Sequence, residues 1–149
     1  MAVNRAELID CLNELIQTCL DAENGFQAAA DRVKDPELKE LFEKRSIQRA
    51  QFASELKSEV RHFGGTPLKS GSAPAALHRG LFHIKSKVKD VNDDAIIAEC
   101  ERGEDAAIET YQRVLKQNLT PNVIPVVKHQ FAELKRSHEH LRELGQKAA

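Results

Sequence analysis

The sequence predicts an all-α protein, a bundle of four antiparallel helices in which one connection is much longer than the others. Three observations carry this. Apolar residues recur in alternating steps of four and three through four long segments. Five prolines and seven glycines in 149 residues, three of the glycines at Gly64, Gly65 and Gly71, leave long stretches in which helices can run. Two of the connections between segments are only about two or three residues long, whereas the middle one runs from Gly64 to Val91.

The first helix is expected over about 4–33, with Leu8, Leu12, Leu15, Cys19, Ala22, Phe26, Ala29 and Val33 on its seam. Asp35 then caps the next helix and Pro36 suits its first turn. The second helix, about 36–63, carries Leu38, Phe42, Arg45, Arg49, Phe52, Leu56 and, less regularly, Phe63. Its middle is cationic where a seam is normally apolar. Gly64-Gly65-Thr66-Pro67 ends it, and a short amphipathic helix is expected over about 75–89.

The third helix, about 93–118, starts at Asn92 or Asp93 as natural caps and shows Ile97, Cys100, Glu104, Ala107, Tyr111 and Val114. The fourth, about 121–144, shows Ile124, Val127, Phe131, Leu134, His138 and Leu141. Short connections make each pair of helices a hairpin. Helices of this length are about 40 Å long at 1.5 Å per residue, and the middle connection is long enough to cross from one end of the bundle to the other.

Composition bounds the function. At 149 residues the chain suits one domain, 1–149, able to bury a core without metal or disulfide support. Lys and Arg number 22 against 23 Asp and Glu, interspersed along helix faces, so no basic face argues for nucleic acid. Cys11, Cys19 and Cys100 form no C-x-x-C pair and read as reduced thiols. No stretch is long and apolar enough to span a membrane and the first ten residues lack a leader-like apolar run, which points to the cytoplasm. Nucleophilic catalysis has no candidate, because no Gly-rich phosphate loop or Ser/His/Asp set is present.

The polar interruptions of the seams are the informative residues. Glu23 lies about eleven residues before the first turn, and Arg45 and Arg49 lie about eleven to fifteen after it. Glu104 lies about sixteen before the last turn and His138 about eighteen after. With a crossover the two turns sit at opposite ends, so these five residues fall within roughly 6 Å along the bundle axis. A buried carboxylate demands a partner, and a buried polar cluster of Glu23, Arg45, Arg49, Glu104 and His138 would supply one. His138 and His140 point to different faces of their helix, and His78 and His83 match no ligand spacing. Tyr111, the one tyrosine, is expected to be buried with its hydroxyl on a carboxylate.

VKDPELKELFEKRS, AALHRG, ERGEDAAIETY and the ending HEHLREL, in that order and spacing, make the chain resemble the ferritin-like superfamily. Over nearly its whole length it is similar to an uncharacterised bacterial family of ferritin-like four-helix-bundle proteins. Di-iron members of the superfamily place one Glu on each of two helices and a Glu-x-x-His pair on each of the other two. The resemblance implies that Glu23 and Glu104 match the single glutamates, that Arg49 and Phe52 stand at the Glu and His positions of the second helix, and that His138 and Leu141 stand at those of the fourth.

On this matching the di-metal site is degenerate, and Arg49 supplies a fixed positive charge where cations sit in relatives. The expected protein is a non-enzymatic bundle without metal or other cofactor, possessing a structural or interaction role associated with stress. It acts by self-association or on a protein partner through Leu81, Phe82, Ile84, Ile9 and Ile16. The alternative is an iron-binding or oxidase-like protein with a reduced site at Glu23, Glu104 and His138, since two carboxylates and an imidazole form a facial triad.

Overall fold

The computed structural model describes residues 4–70 and 92–148. Among them are four helices: α1 (Arg5–Arg32), α2 (Pro36–His62), α3 (Asp93–Leu115) and α4 (Ile124–Ala148). The short helix expected over 75–89, with its Leu81, Phe82 and Ile84 and the histidines His78 and His83, lies outside the described residues.

Local chemistry fixes the helix starts. The Asn4 side chain accepts from the Glu7 amide, Asp35 from Glu37 and Asn92 from Ala95, and Pro36 occupies the first turn of α2. Each cap satisfies an amide that the helix leaves without a carbonyl. At the other end of α2 the chain turns through Gly64, whose φ of +78° lies in the left-handed region, and the Gly65 amide returns to the Val60 carbonyl at 2.9 Å. A side chain at position 64 would strain that turn.

Hydrogen bonds between helix ends establish the topology. The Asp93 carboxylate accepts from the amides of Lys34 and Asp35 at 2.8 and 3.0 Å. The start of α3 therefore sits at the α1–α2 turn, and α3 runs antiparallel to α1. Arg113, late in α3, pairs with Glu14, early in α1, and Asn122 reaches Glu59 near the end of α2. From the end of α2 to the start of α3 the chain thus traverses the length of the bundle, about 40 Å for a helix of this size. This is the long crossover the sequence implies.

The apolar interior forms two clusters. One gathers Leu8, Leu12, Leu15, Phe52, Leu56, Tyr111, Val123 and Val127 toward the start of α1. The other gathers Phe26, Phe42, Ile96, Ile97, Cys100 and Leu141 toward the α1–α2 turn. Burying each large apolar side chain contributes about 1.5–3 kcal/mol. Ile16, expected on an outer face, is instead fully buried in the first cluster, and Ile9 is half-buried against it.

The seam of α4 departs from the expected one. Val123, Val127, Gln130, Leu134, Ser137 and Leu141 are buried, whereas Ile124, Phe131 and His138 are half-buried beside them. The spacing is still alternately four and three, shifted by one residue at every second position. Polar residues at 130 and 137 conceal the true seam, because the larger apolar Phe131 flanks it and looks like its centre. In α2 the regular inner position after Leu56 is Val60, while Phe63 is the cap residue beyond the helix.

Candidate functional site

The boundary between the two apolar clusters is polar. Arg49 and Glu104 face each other there across α2 and α3, with side chains 1% and 2% exposed. Arg49 Nη1 donates to Glu104 Oε1 at 2.5 Å and Nη2 donates to Oε2 at 2.8 Å, a fork that uses both carboxylate oxygens. The guanidinium carbon lies 5.4 Å from the Phe26 ring centre and 6.0 Å from that of Phe52, so aromatic faces close the site above and below the ion pair. Burial opposes the Arg49 charge, but the charge and hydrogen bonds of Glu104 outweigh it and hold the guanidinium above its ordinary value.

The position of this pair follows from hairpin register. Ser46 Oγ donates to the backbone carbonyl of Glu23 at 2.9 Å, so Arg49, three residues farther from the turn, lies opposite the Cys19–Leu20 turn of α1. Across the other hairpin, Tyr111 meets Gln130 and Asp105 meets His138, which places Glu104 level with Ser137.

The structure therefore brings Arg49 and Glu104 together and distributes the other expected cluster members around them. His138 is 23% exposed and its Nε2 lies 2.6 Å from Asp105 Oδ1, away from Glu104. The shifted seam of α4 turns this imidazole to the flank and puts Ser137 inside. What Glu23 offers to α2 is its backbone carbonyl, while its half-buried side chain lies about one turn from the ion pair. Arg45 is half-buried and its Nη2 lies 3.4 Å from His140 Nδ1. Burial, reinforced by the charge of Arg49, lowers the Arg45 guanidinium below its ordinary value.

A second polar layer lies about two turns away. Tyr111 donates to Gln130 Oε1 at 2.7 Å, and Cys19 Sγ lies 3.0 Å from the same phenolic oxygen. Because the tyrosine has one proton and gives it to Gln130, the thiol is the donor to the phenol. Gln130 Nε2 in turn donates to the Phe52 carbonyl at 3.3 Å and to Glu55 Oε1 at 2.8 Å. Burial pushes the Cys19 thiol up to about 11 and holds the Tyr111 hydroxyl well above its usual range. The expected carboxylate partner of Tyr111 is thus a buried amide. Gln130 was legible in principle, since it stands three residues after Val127 and four before Leu134.

Whether the site can hold the two irons of the di-iron superfamily is a question of donors. Such centres need several carboxylates and two imidazoles. Here Glu104, the carboxylate that meets Arg49, has both oxygens committed to the guanidinium, and the aligned imidazole positions are Phe52 and Leu141, 5% and 1% exposed. No group of three or more His, Cys, Asp or Glu able to hold a metal occurs among the described residues. These residues do not fit a di-metal centre, and Glu23, Glu104 and His138 do not converge on one point.

No helix among the described residues is long and apolar enough to cross a membrane. Residues 7–117 match the model of a domain of unknown function, DUF2383. No curated protein matches the chain. Among solved structures, a ferritin-like, diiron-carboxylate protein from Bacillus anthracis superposes with a TM-score of 0.76 at 21% identity, over 97% of this chain and 99% of the other. The bacterioferritin of Desulfovibrio desulfuricans gives 0.80 at 19% identity, over 97% and 84%. A dodecameric thioferritin from Bacteroides fragilis gives 0.77 at 17% identity, over 98% and 89%. At such identities the likeness establishes the ferritin-like four-helix-bundle fold.

Proposed function

Because the chain belongs to the DUF2383 family, within the ferritin-like superfamily, we propose that it is a non-enzymatic member of that superfamily, a single-domain cytoplasmic protein in which an internal ion pair replaces a metal centre. The observation that carries this reading is the two-pronged Arg49–Glu104 contact, buried on all sides and lying midway along the bundle. A guanidinium is charged at every physiological pH and cannot leave the carboxylate without exposing both groups unpaired. It therefore competes permanently with any cation for Glu104.

A bundle so arranged acts through its outer surface, by self-association or on a protein partner. The dodecameric state of the Bacteroides thioferritin gives self-association a precedent in the fold. A role in stress physiology belongs to the same proposal and rests on the family resemblance.

The test is metal content joined to stability. Protein purified from iron-supplemented cells is expected to hold far less than one iron per chain, with a denaturation midpoint unchanged by a chelator. One or two irons per chain, together with a midpoint that falls on chelation, would overturn the proposal and restore the iron-binding reading built on Glu104.

A further inference from the structure

The outward faces of the helices differ in how they carry charge. α3 presents Arg102, Asp105, Glu109 and Arg113 to solvent and α4 presents Lys135, Glu139 and Arg142, a charge on every turn. α2 does not. Between Lys44 and Arg61, about 25 Å along the axis, its outermost line is Ile47, Gln51, Ser54 and Ser58, all exposed and all uncharged. Ile47 is 60% exposed, the one large hydrophobic residue so placed among the described residues. A helix that meets only water gains nothing from a neutral middle with an isoleucine at its edge, whereas the centre of a contact between proteins is where charge is normally depleted.

The charges that border this line are segregated along it. At about 100° per residue, Glu40 and Glu43 stand at its first end and Arg61 at its last, with Lys44 and Glu55 on one flank and Lys57 on the other. Glu37 and Lys39 lie farther back, one behind each flank. A parallel copy of α2 would set acid on acid and base on base. An antiparallel copy, related by a two-fold axis between Ala50 and Gln51, sets Ile47 level with Ser54 of the second copy and Glu40 level with Arg61. It also brings Glu43 within one residue of Lys57 and Lys44 within two of Glu55. The axis keeps each flank on its own side, so Lys44 meets Glu55 and stays clear of Lys57, while Glu37 and Lys39 fall opposite the helix end. The pairs within α2, Lys44 with Glu40 at 3.1 Å and Lys39 with Glu43 at 3.8 Å, are solvent-exposed and leave these groups able to take a second partner. The complement of this face is therefore the same face reversed.

We propose that the outer face of α2 docks a second copy of this chain in an isologous, antiparallel contact centred between Ala50 and Gln51. Each Ile47 is covered by the small residues Ala50 and Ser54 of the other copy, and opposite charges meet at both ends of the contact. The proposal deepens the self-association reading given above and rests on it, by naming the face and the symmetry through which the bundle associates.

Sedimentation equilibrium of the full chain across the micromolar range tests it. A reversible association with a dimer as its first step is expected, weakened roughly tenfold or more by Ile47→Lys. Ala132→Lys places the same charge on the exposed face of α4 and is expected to leave the association unchanged. Glu43→Lys and Lys57→Glu are each expected to weaken it about three- to tenfold, and the two together in one chain to restore it to within about twofold. That rescue cannot arise within one chain, because the two positions lie about 21 Å apart along α2. Association indifferent to Ile47→Lys, equal losses from Ile47→Lys and Ala132→Lys, or a double charge exchange no better than its single members would overturn this face and leave self-association standing. A chain that is monomeric at every concentration would overturn both. The iron measurement above is independent of all these outcomes.

Discussion

The core holds two polar layers that solve the same problem differently. Arg49 and Glu104 bury a full charge of each sign and pair with each other in a two-pronged fork, between aromatic rings and out of reach of solvent, while Arg49 Nε donates to Gln48 Oε1 at 3.4 Å. Cys19, Tyr111 and Gln130 bury neutral groups and pass donors outward in sequence until Gln130 reaches Glu55, which is exposed. The charged layer has one solution: if either partner is removed, the other is stranded. The neutral layer loses a hydrogen bond at a time. Desolvation makes the difference, because an unpaired ion in the interior costs several kcal/mol and an unpaired amide or hydroxyl about 1–3.

The sharpest way to break this comparison is to strand the charge. Glu104→Ala is expected to lower unfolding free energy by about 3–5 kcal/mol in chemical denaturation, because Arg49 then remains buried and unpaired. Replacing both partners, Arg49→Met with Glu104→Leu, is expected to leave stability near wild type or raise it by roughly 1–4 kcal/mol. A double variant as unstable as the single one would mean that the pair contributes more than it costs to desolvate.

Alkaline pH probes the neutral layer next. The Cys19 thiol is protonated below pH 9 in both folded and unfolded chains. Above that, the unfolded chain ionises at about its ordinary value of 9.0 while the folded thiol holds its proton to about 11. Stability is therefore complete below pH 9 and is lost as pH rises toward 11, by about 2–3 kcal/mol from this thiol. Tyr111 and Cys100, also raised by burial, act in the same direction. Denaturation midpoints measured from pH 7.5 to 10.5 should show the loss, and Cys19→Ala should shrink it. A flat profile contradicts the burial of these groups.

The smallest effect is expected from Tyr111→Phe, which keeps the packing and removes one hydroxyl. It leaves Gln130 Oε1 without its donor, at about 1–2 kcal/mol in the same denaturation assay. A loss as large as that of Glu104→Ala would place Tyr111 in a charged network after all.

Much of this was legible along the chain. The caps at Asp35 and Asn92, the seams of α1 and α3 and the crossover follow from residue types and spacing, because propensity, capping and hydrophobic period are local and agree with one another. Glu104 on an otherwise apolar stripe announced a buried ion pair, and Arg49 stood out as its counter-ion. The register of α4 was the least legible part, although the spacing to Val127 and Leu134 admits Gln130 on the inner face. Gln130 and Ser137 are polar and so conceal the inner face, while Phe131 and His138 beside them read as seam residues.

The sequence by itself determined four amphipathic helices, their order, and the presence of a buried acid and a buried base, since periodicity and charge are properties of the chain. Only the tertiary structure decided which groups meet. It turned His138 to Asp105, put Ser137 level with Glu104 and gave Tyr111 an amide instead of a carboxylate. The physical reason is that one residue of rotation, about 100° on a helix, exchanges an inner side chain for a flanking one, and packing against the other helices fixes that rotation.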